Sequence, residues 1–268
     1  MDDKDRDFYR YFLKDTIRKK INFALTDQNQ KVPVPPVQKE VPSDAATIQL
    51  PGPENFTESA SPPGVWNKIP GMDLSLAIKR RKSSRAYGRD PLSLEELAYL
   101  LWCTQGVRGK PTQGHAYRTV PSAGCRHALE TYLTVLNVED LKPGIYRYLP
   151  LTHGLLFESS EEDLSLRIVE ACFGQPYPGK AAVTFIWAAV PYRMEWRYGL
   201  AAHKVILLDA GHVCQNLYLA CEAIDAGTCA IAAYNQEELD ELLGLDGENE
   251  FAIYLAPVGK INKKKESV

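Results

Sequence analysis

Residues 200–226 read LAAHKVILLDAGHVCQNLYLACEAIDA, a stretch without proline in which Val205, Leu208, Val213, Leu217, Ala220 and Ile224 recur at helical spacing. Gly227 follows as a candidate C-cap, so one long helix is expected from about Leu200 to Ala226, a natural spine for the fold. Downstream, a strand over 228–233, a helix over 236–243 and a strand over 250–257 close the body. Upstream, the apolar run Ala181–Val190 is about half of the ~20 residues a membrane-spanning helix needs, and it suits a central strand. A helix is expected over 161–172. Strands are expected over Glu130–Val138, Gly144–Leu149 and Leu155–Phe157, the last two bracketing a His153-Gly154 turn. Ser93 and Glu96 form a capping box for Leu94–Thr104, and Asp73 caps Leu74–Arg81. This order of helices interrupting short strands is α+β.

The first 70 residues differ. Phe8, Phe12, Ile17 and Ile21 suit one face of an amphipathic helix over 6–24. Nine of the eighteen prolines fall between Lys31 and Pro70, where neither helix nor sheet should persist. Val34, Ile48, Leu50 and Trp66 mark this stretch as an arm lying on the body or on a second subunit, because a free linker has little use for them. The expected division is 1–70, N-terminal helix and proline-rich arm, and 71–268, the body.

The chain has 268 residues with 31 Lys+Arg against 34 Asp+Glu, a formal charge of -3 that gives no global field for nucleic acid or anionic lipid. The six cysteines form no C-x-x-C pair, and they read as reduced thiols of a cytoplasmic protein. The acidic N-terminus lacks signal-peptide character, and a sequon at Asn55 has no meaning in that compartment. The five histidines do not pair at i,i+4, so no metal is expected. G-x-G-x-x-G, the P-loop, H-E-x-x-H and G-x-S-x-G are absent.

Three weak signals remain. Lys79, Arg80, Arg81, Lys82, Arg85 and Arg89 gather around Ser83 and Ser84, a set able to hold a phosphate or simply to complement a helix C-terminus. Pro121-Ser122-Ala123-Gly124 is a small-sided turn that a flat ring could approach, or only a turn. Ala230-Ile231-Ala232-Ala233 can offer backbone N–H groups to a ligand edge, or be an interior strand. Cys125 reads more readily as a structural thiol than as a nucleophile, and His212 as an interior histidine.

Taken in order, these sites resemble the flavin-binding pattern of the nitroreductase family. LAIKRRKSSRAYGRDPLSLEELAYLLW is similar to its phosphate loop between two helices, VPSAGCRHALE to its Pro-Ser segment, the 207–245 stretch to its dimer helix and flavin-edge strand, and YLAPVGK to its last strand. The match covers residues 71–260. PSAG and DAGHxxQNLYL resemble the SagB-type dehydrogenase branch, which includes thiazoline and oxazoline oxidases.

The resemblance implies a nitroreductase-like fold, a mixed or antiparallel sheet flanked by helices in an intertwined homodimer. It implies FMN, with Arg81, Lys82, Ser83 and Arg85 on the phosphate, Pro121, Ser122, Ala123 and Gly124 along the ring and ribityl, and Ala232 and Ala233 facing N5. Lys260 is a further phosphate candidate, and the Lys263-Lys264-Lys265 tail stands where the family often has another Lys/Arg pair. Arg118 and Arg126 flank the Pro-Ser turn as candidates for the pyrimidine side.

Arg197 and Tyr198 fall where azoline-oxidising relatives carry a Lys-Tyr pair, and an arginine stays protonated where a lysine can act as a base. The implied function is therefore reduction of a nitroaromatic or quinone-type small molecule with NADH or NADPH as donor. Oxidation of a peptide azoline, or flavin storage or sensing without turnover, are the alternatives.

Overall fold

The computed structural model describes residues 2–52, 69–112 and 114–261. The Asn55 sequon, Trp66 and the Lys263–Lys265 tail lie outside them. Seven antiparallel strands form one sheet in the order β1-β4-β3-β2-β5-β7-β6. They are β1 (Thr47–Gln49), β2 (Leu129–Val135), β3 (Gly144–Leu149), β4 (Gly154–Ser159), β5 (Val183–Ala189), β6 (Ala226–Thr228) and β7 (Phe251–Lys260).

Strand β5 sits at the centre, paired with β2 and β7. Its period-2 alternation sends Phe185 and Trp187 to one face and Ile186 and Ala188 to the other. The first face packs on α3 (Leu94–Gln105) and α6 (Ala202–Ala223) through Leu97, Leu101, Val213 and Leu217. The second packs on α4 (Leu164–Ala171) and α7 (Gln236–Leu243) through Ile168, Leu239 and Leu242. Because both faces are covered, β5 is apolar apart from Thr184, as the apolar run predicts.

The caps form as expected. Asp73 accepts from Leu76 N–H at 2.9 Å to open α2 (Leu74–Arg80). At α3, Ser93 and Glu96 make the reciprocal pair.

Four boundaries differ from expectation. The long helix forms as α6, beginning at Ala202, but it is preceded by a helix that was not expected, α5 (Tyr192–Tyr198), which ends at Gly199, whose φ of 52° turns the chain. Helix α6 is capped at Ile224, the left-handed residue is Asp225 at φ 52°, and Gly227 is a strand residue of β6 paired with Gly259. The N-terminal helix stops early, as α1 (Asp3–Leu13), because Lys14 is extended and two 3-10 segments follow. Strand β1 forms inside the arm, since residues 43–50 contain no proline and keep the N–H groups that pair with β4.

Candidate functional site

Two clusters sit at different heights along α6. The first gathers on Tyr218. Its hydroxyl lies 3.1 Å from Ser83 Oγ and accepts from the Ala230 N–H at 2.9 Å. The Arg81 guanidinium stacks on its ring at 5.4 Å. Ser83 bridges to Thr228 and the Ser84 N–H donates to the Thr228 carbonyl, which lays the cation loop along β6. Gly227 is required for that approach, because a Cβ there would stand 2.7 Å from Ser84 Cβ.

Arg85 stacks on Tyr177, whose hydroxyl donates to Gln175, and the Gln175 amide donates to the Ala233 carbonyl. The hydrogen bond with Tyr177 raises the Arg85 pKa further, keeping the cation fully charged. Among the described residues no carboxylate pairs with Arg81, Lys82 or Arg85, whereas Arg80 meets Glu222. The N–H groups of Ala232 and Ala233 are likewise not engaged by any described residue.

The second cluster gathers on Asp209, nine residues and about 13 Å back along the same helix. Its carboxylate receives the Ala123 N–H at 3.3 Å and a bond from Ser122. Burial raises its pKa, and those bonds and nearby His212 oppose the shift. Ser122 Oγ also accepts from the His127 N–H at 2.9 Å. The turn is left-handed at Gly124 (φ 59°) and Cys125 (φ 56°), and a Cβ at Gly124 would stand 2.6 Å from the Tyr198 hydroxyl and 2.9 Å from Arg197 Nε. Arg197 and Tyr198 therefore abut the small-residue turn, although some seventy residues separate them in sequence. Burial, with Arg118, Arg126 and Arg193 close by, depresses the His127 pKa to about 3, so its imidazole is neutral.

One helix thus carries both clusters, the cation loop at Tyr218 and the small-residue turn at Asp209.

The sequence profile of the nitroreductase family matches residues 78–260. The chain belongs to the nitroreductase family. A Methanocaldococcus jannaschii protein named as a nitroreductase is 32% identical over 192 residues, covering 72% of this chain and 93% of that one. A Ralstonia eutropha crystal structure named as a nitroreductase superposes with a TM-score of 0.64 at 26% identity, covering 86% of this chain and 99% of that one. The microcin B17-processing protein McbC of Escherichia coli is 23% identical over 159 residues, 58% of each chain, and supports the SagB-type branch of the family. The Escherichia coli microcin synthetase McbBCD complex shares the fold with a TM-score of 0.57, covering 96% of this chain and 91% of that one. Family and neighbours together make the chain an oxidoreductase enzyme.

Within this nitroreductase-family fold, three expected flavin contacts are turned inward. Lys260 Nζ bonds to Glu96 and to the Ile224 carbonyl. Arg118 donates to Gln105 Oε1 at 2.7 Å and to the Val37 carbonyl at 2.6 Å, and burial lowers its pKa to about 10. Arg126 is fully buried and also bonds to backbone carbonyls. Sequence reasoning passed over Tyr218 and Asp209, both inside the DAGHxxQNLYL stretch. Their signal was the polar break in an apolar helix face.

A cavity of about 440 Å³ lies beside α6 among Met72, Tyr99, Trp102, Arg108 and Leu219, and neither Tyr218 nor Asp209 lines it. Among the described residues no His/Cys/Asp/Glu group could hold a metal, and no helix is long and apolar enough to cross a membrane.

Proposed function

We propose that this enzyme binds FMN between the two clusters and uses it to reduce a quinone or nitroaromatic at the expense of NADH or NADPH. The observation that supports this best is a loop whose Arg81, Lys82 and Arg85 meet no carboxylate among the described residues, held by Tyr218 on the helix whose Asp209 also holds the small-residue turn. FMN would supply the hydride chemistry. Arg81, Lys82, Ser83 and Arg85 would hold its phosphate, the Pro121–Gly124 backbone would lie along the ring, and the Ala232 and Ala233 N–H groups would face its edge. Arg197 at the turn would favour negative charge developing there, without exchanging a proton.

A homodimer is part of the proposal. Leu207 and Leu208 on α6 and Leu74, Leu76 and Ile78 on α2 are exposed, more apolar surface than neighbouring helices of a monomer usually present. The small-molecule site would lie at that interface, in a cytoplasmic protein with no nucleic-acid or membrane partner.

Absorption spectra of the purified protein test the cofactor, and oxidation of NADH and NADPH with a quinone tests the reaction. Colourless protein that takes up no FMN overturns the proposal.

The likeness to McbC favours a second reading, dehydrogenation of a peptide azoline or similar intermediate. A guanidinium cannot take a proton from a ring carbon, so this reading ranks below the first. Rapid flavin reduction by a thiazoline peptide that disappears in Arg197→Ala would reverse the ranking.

A further inference from the structure

We propose that Arg126 is the positioning residue of this site, and that residues 27–37 of the proline-rich arm belong to the site because, with Arg126, they hold α5 so that Arg197 and Tyr198 stay against the Gly124 turn. The proposal rests on the functional reading above.

Arg126 follows that turn by two residues and is 0% exposed. Its Nε donates to the Arg193 carbonyl of α5 at 3.0 Å, Nη1 to the Gly114 carbonyl at 2.8 Å and Nη2 to the Pro35 carbonyl of the arm at 3.1 Å. The guanidinium also stacks on Trp196 of α5, 5.0 Å from the ring centre. One planar group thus ties the turn to the helix, to the 106–119 loop and to the arm.

The arm grips α5 independently. Tyr192 OH donates to Asp27 at 2.6 Å, the Gln28 N–H to the Trp196 carbonyl at 2.9 Å, and the Trp196 indole N–H to the Val32 carbonyl at 3.0 Å. Val34 closes against Gly114, where a Cβ would stand 2.4 Å from its methyl carbon.

These contacts are needed because α5 has only seven residues and no side-chain N-cap, so it has little stability of its own. Prolines 33, 35 and 36 have no N–H, which keeps this part of the arm out of the sheet and leaves its carbonyls free as acceptors. Among the described residues no carboxylate pairs with Arg126. A buried cation satisfied only by neutral carbonyls is costly, and simple space-filling would be served better by an apolar side chain. What arginine alone provides is a rigid fork that reaches three divergent acceptors at once.

Arg126→Lys and Trp196→Phe test the proposal. In Arg126→Lys, kcat with a quinone should fall by roughly tenfold or more, with the donor KM changed by less than about threefold. FMN and riboflavin should weaken by the same factor, because the phosphate loop is untouched, and the visible circular dichroism of bound flavin should change. Trp196→Phe keeps an aromatic face for Arg126 but loses the indole N–H and its bond to Val32, and should show the same signature, smaller. In flavin-free protein, amide exchange should quicken at Ala123–Gly124 and Arg197–Gly199 in both variants while β2 and β5 stay protected.

A lower melting temperature with wild-type kcat, dichroism and exchange would reduce Arg126 to a structural residue and overturn the proposal. If Arg126→Lys does not fold, Trp196→Phe decides, and wild-type behaviour there overturns it. If wild-type protein takes up no flavin, the functional reading fails, and exchange alone decides whether Arg126 and the arm hold α5.

Discussion

Replacing Gly124 by alanine perturbs the contact on which the candidate site depends, and the structure fixes the size of the effect. At φ 59° a Cβ costs about 1–2 kcal/mol in backbone strain. The smaller entropy of the unfolded alanine chain returns about 0.4–1 kcal/mol. The new methyl would also stand 2.6 Å from the Tyr198 hydroxyl, and ordinary contact begins at 3.4 Å, so the ring must retreat by 0.8 Å. Displacement on that scale near reacting atoms can cost about a hundredfold in rate. The expected result is a loss of about 1–2 kcal/mol in urea unfolding, with turnover falling by more than that loss explains.

The steric part is separable. Tyr198→Phe removes the hydroxyl, so Gly124→Ala should cost less in the Tyr198→Phe background, leaving the backbone strain and the contact with Arg197. Stability is the cleaner readout of this cycle, since Tyr198→Phe also alters the site chemistry. Equal costs in the two backgrounds would show that Tyr198 does not rest on the turn.

Arg81→Ala should weaken FMN by about ten- to a hundredfold in titration calorimetry and leave riboflavin unchanged; equal weakening of both removes the phosphate assignment. Tyr218→Phe leaves the Ala230 N–H without its acceptor and should cost about 1 kcal/mol in unfolding while lowering FMN affinity, with wild-type affinity counting against its role as a junction. Acidification should destabilise the protein through His127: the unfolded imidazole protonates near pH 6.5 and the folded one only near pH 3, so stability is full above pH 6.5 and falls by up to about 1.4 kcal/mol per pH unit below it. Asp209, with its raised pKa, acts in the opposite sense, so the loss should be partial, and His127→Gln should flatten it in urea titrations across that window. Removing residues 2–40 should destabilise each protomer as well as any dimer, because Arg118, Arg126 and Arg147 all donate to arm carbonyls; an unchanged melting temperature would show that water replaces them.

What the sequence revealed was local. Asp73, Ser93 and Glu96 announce their caps because capping acts within three residues, and β5 announces itself because burial on two faces leaves an apolar run. The cation loop and the Pro-Ser turn could be named, but not the residues that join them. Tyr218 and Asp209 are a hydroxyl and a carboxyl in a helix, and only the packing of α6 shows what they face. Arg118, Arg126 and Lys260 look like ligand contacts by type and position. Arg126 turns inward to main-chain carbonyls, and Arg118 and Lys260 to the Val37 and Ile224 carbonyls together with Gln105 and Glu96; carbonyls leave no mark in a sequence, and neither do such distant pairings. Helix α5 also left no mark, since its seven residues have no side-chain cap and are held by contacts with the distant arm.

The arm precedes the body in the chain, and this sets an order of events during synthesis. It is made before the body, yet Lys39 pairs with Glu250, 211 residues later, and Trp196, which donates to the Val32 carbonyl, lies 164 residues on. Its prolines find no partner until nearly the whole body has emerged, and contacts this distant in sequence form late. The arm is then among the last segments to dock. Prolines 33, 35 and 36 keep residues 27–40 from pairing prematurely with a half-built sheet, and their docking marks the completion of the body beneath them.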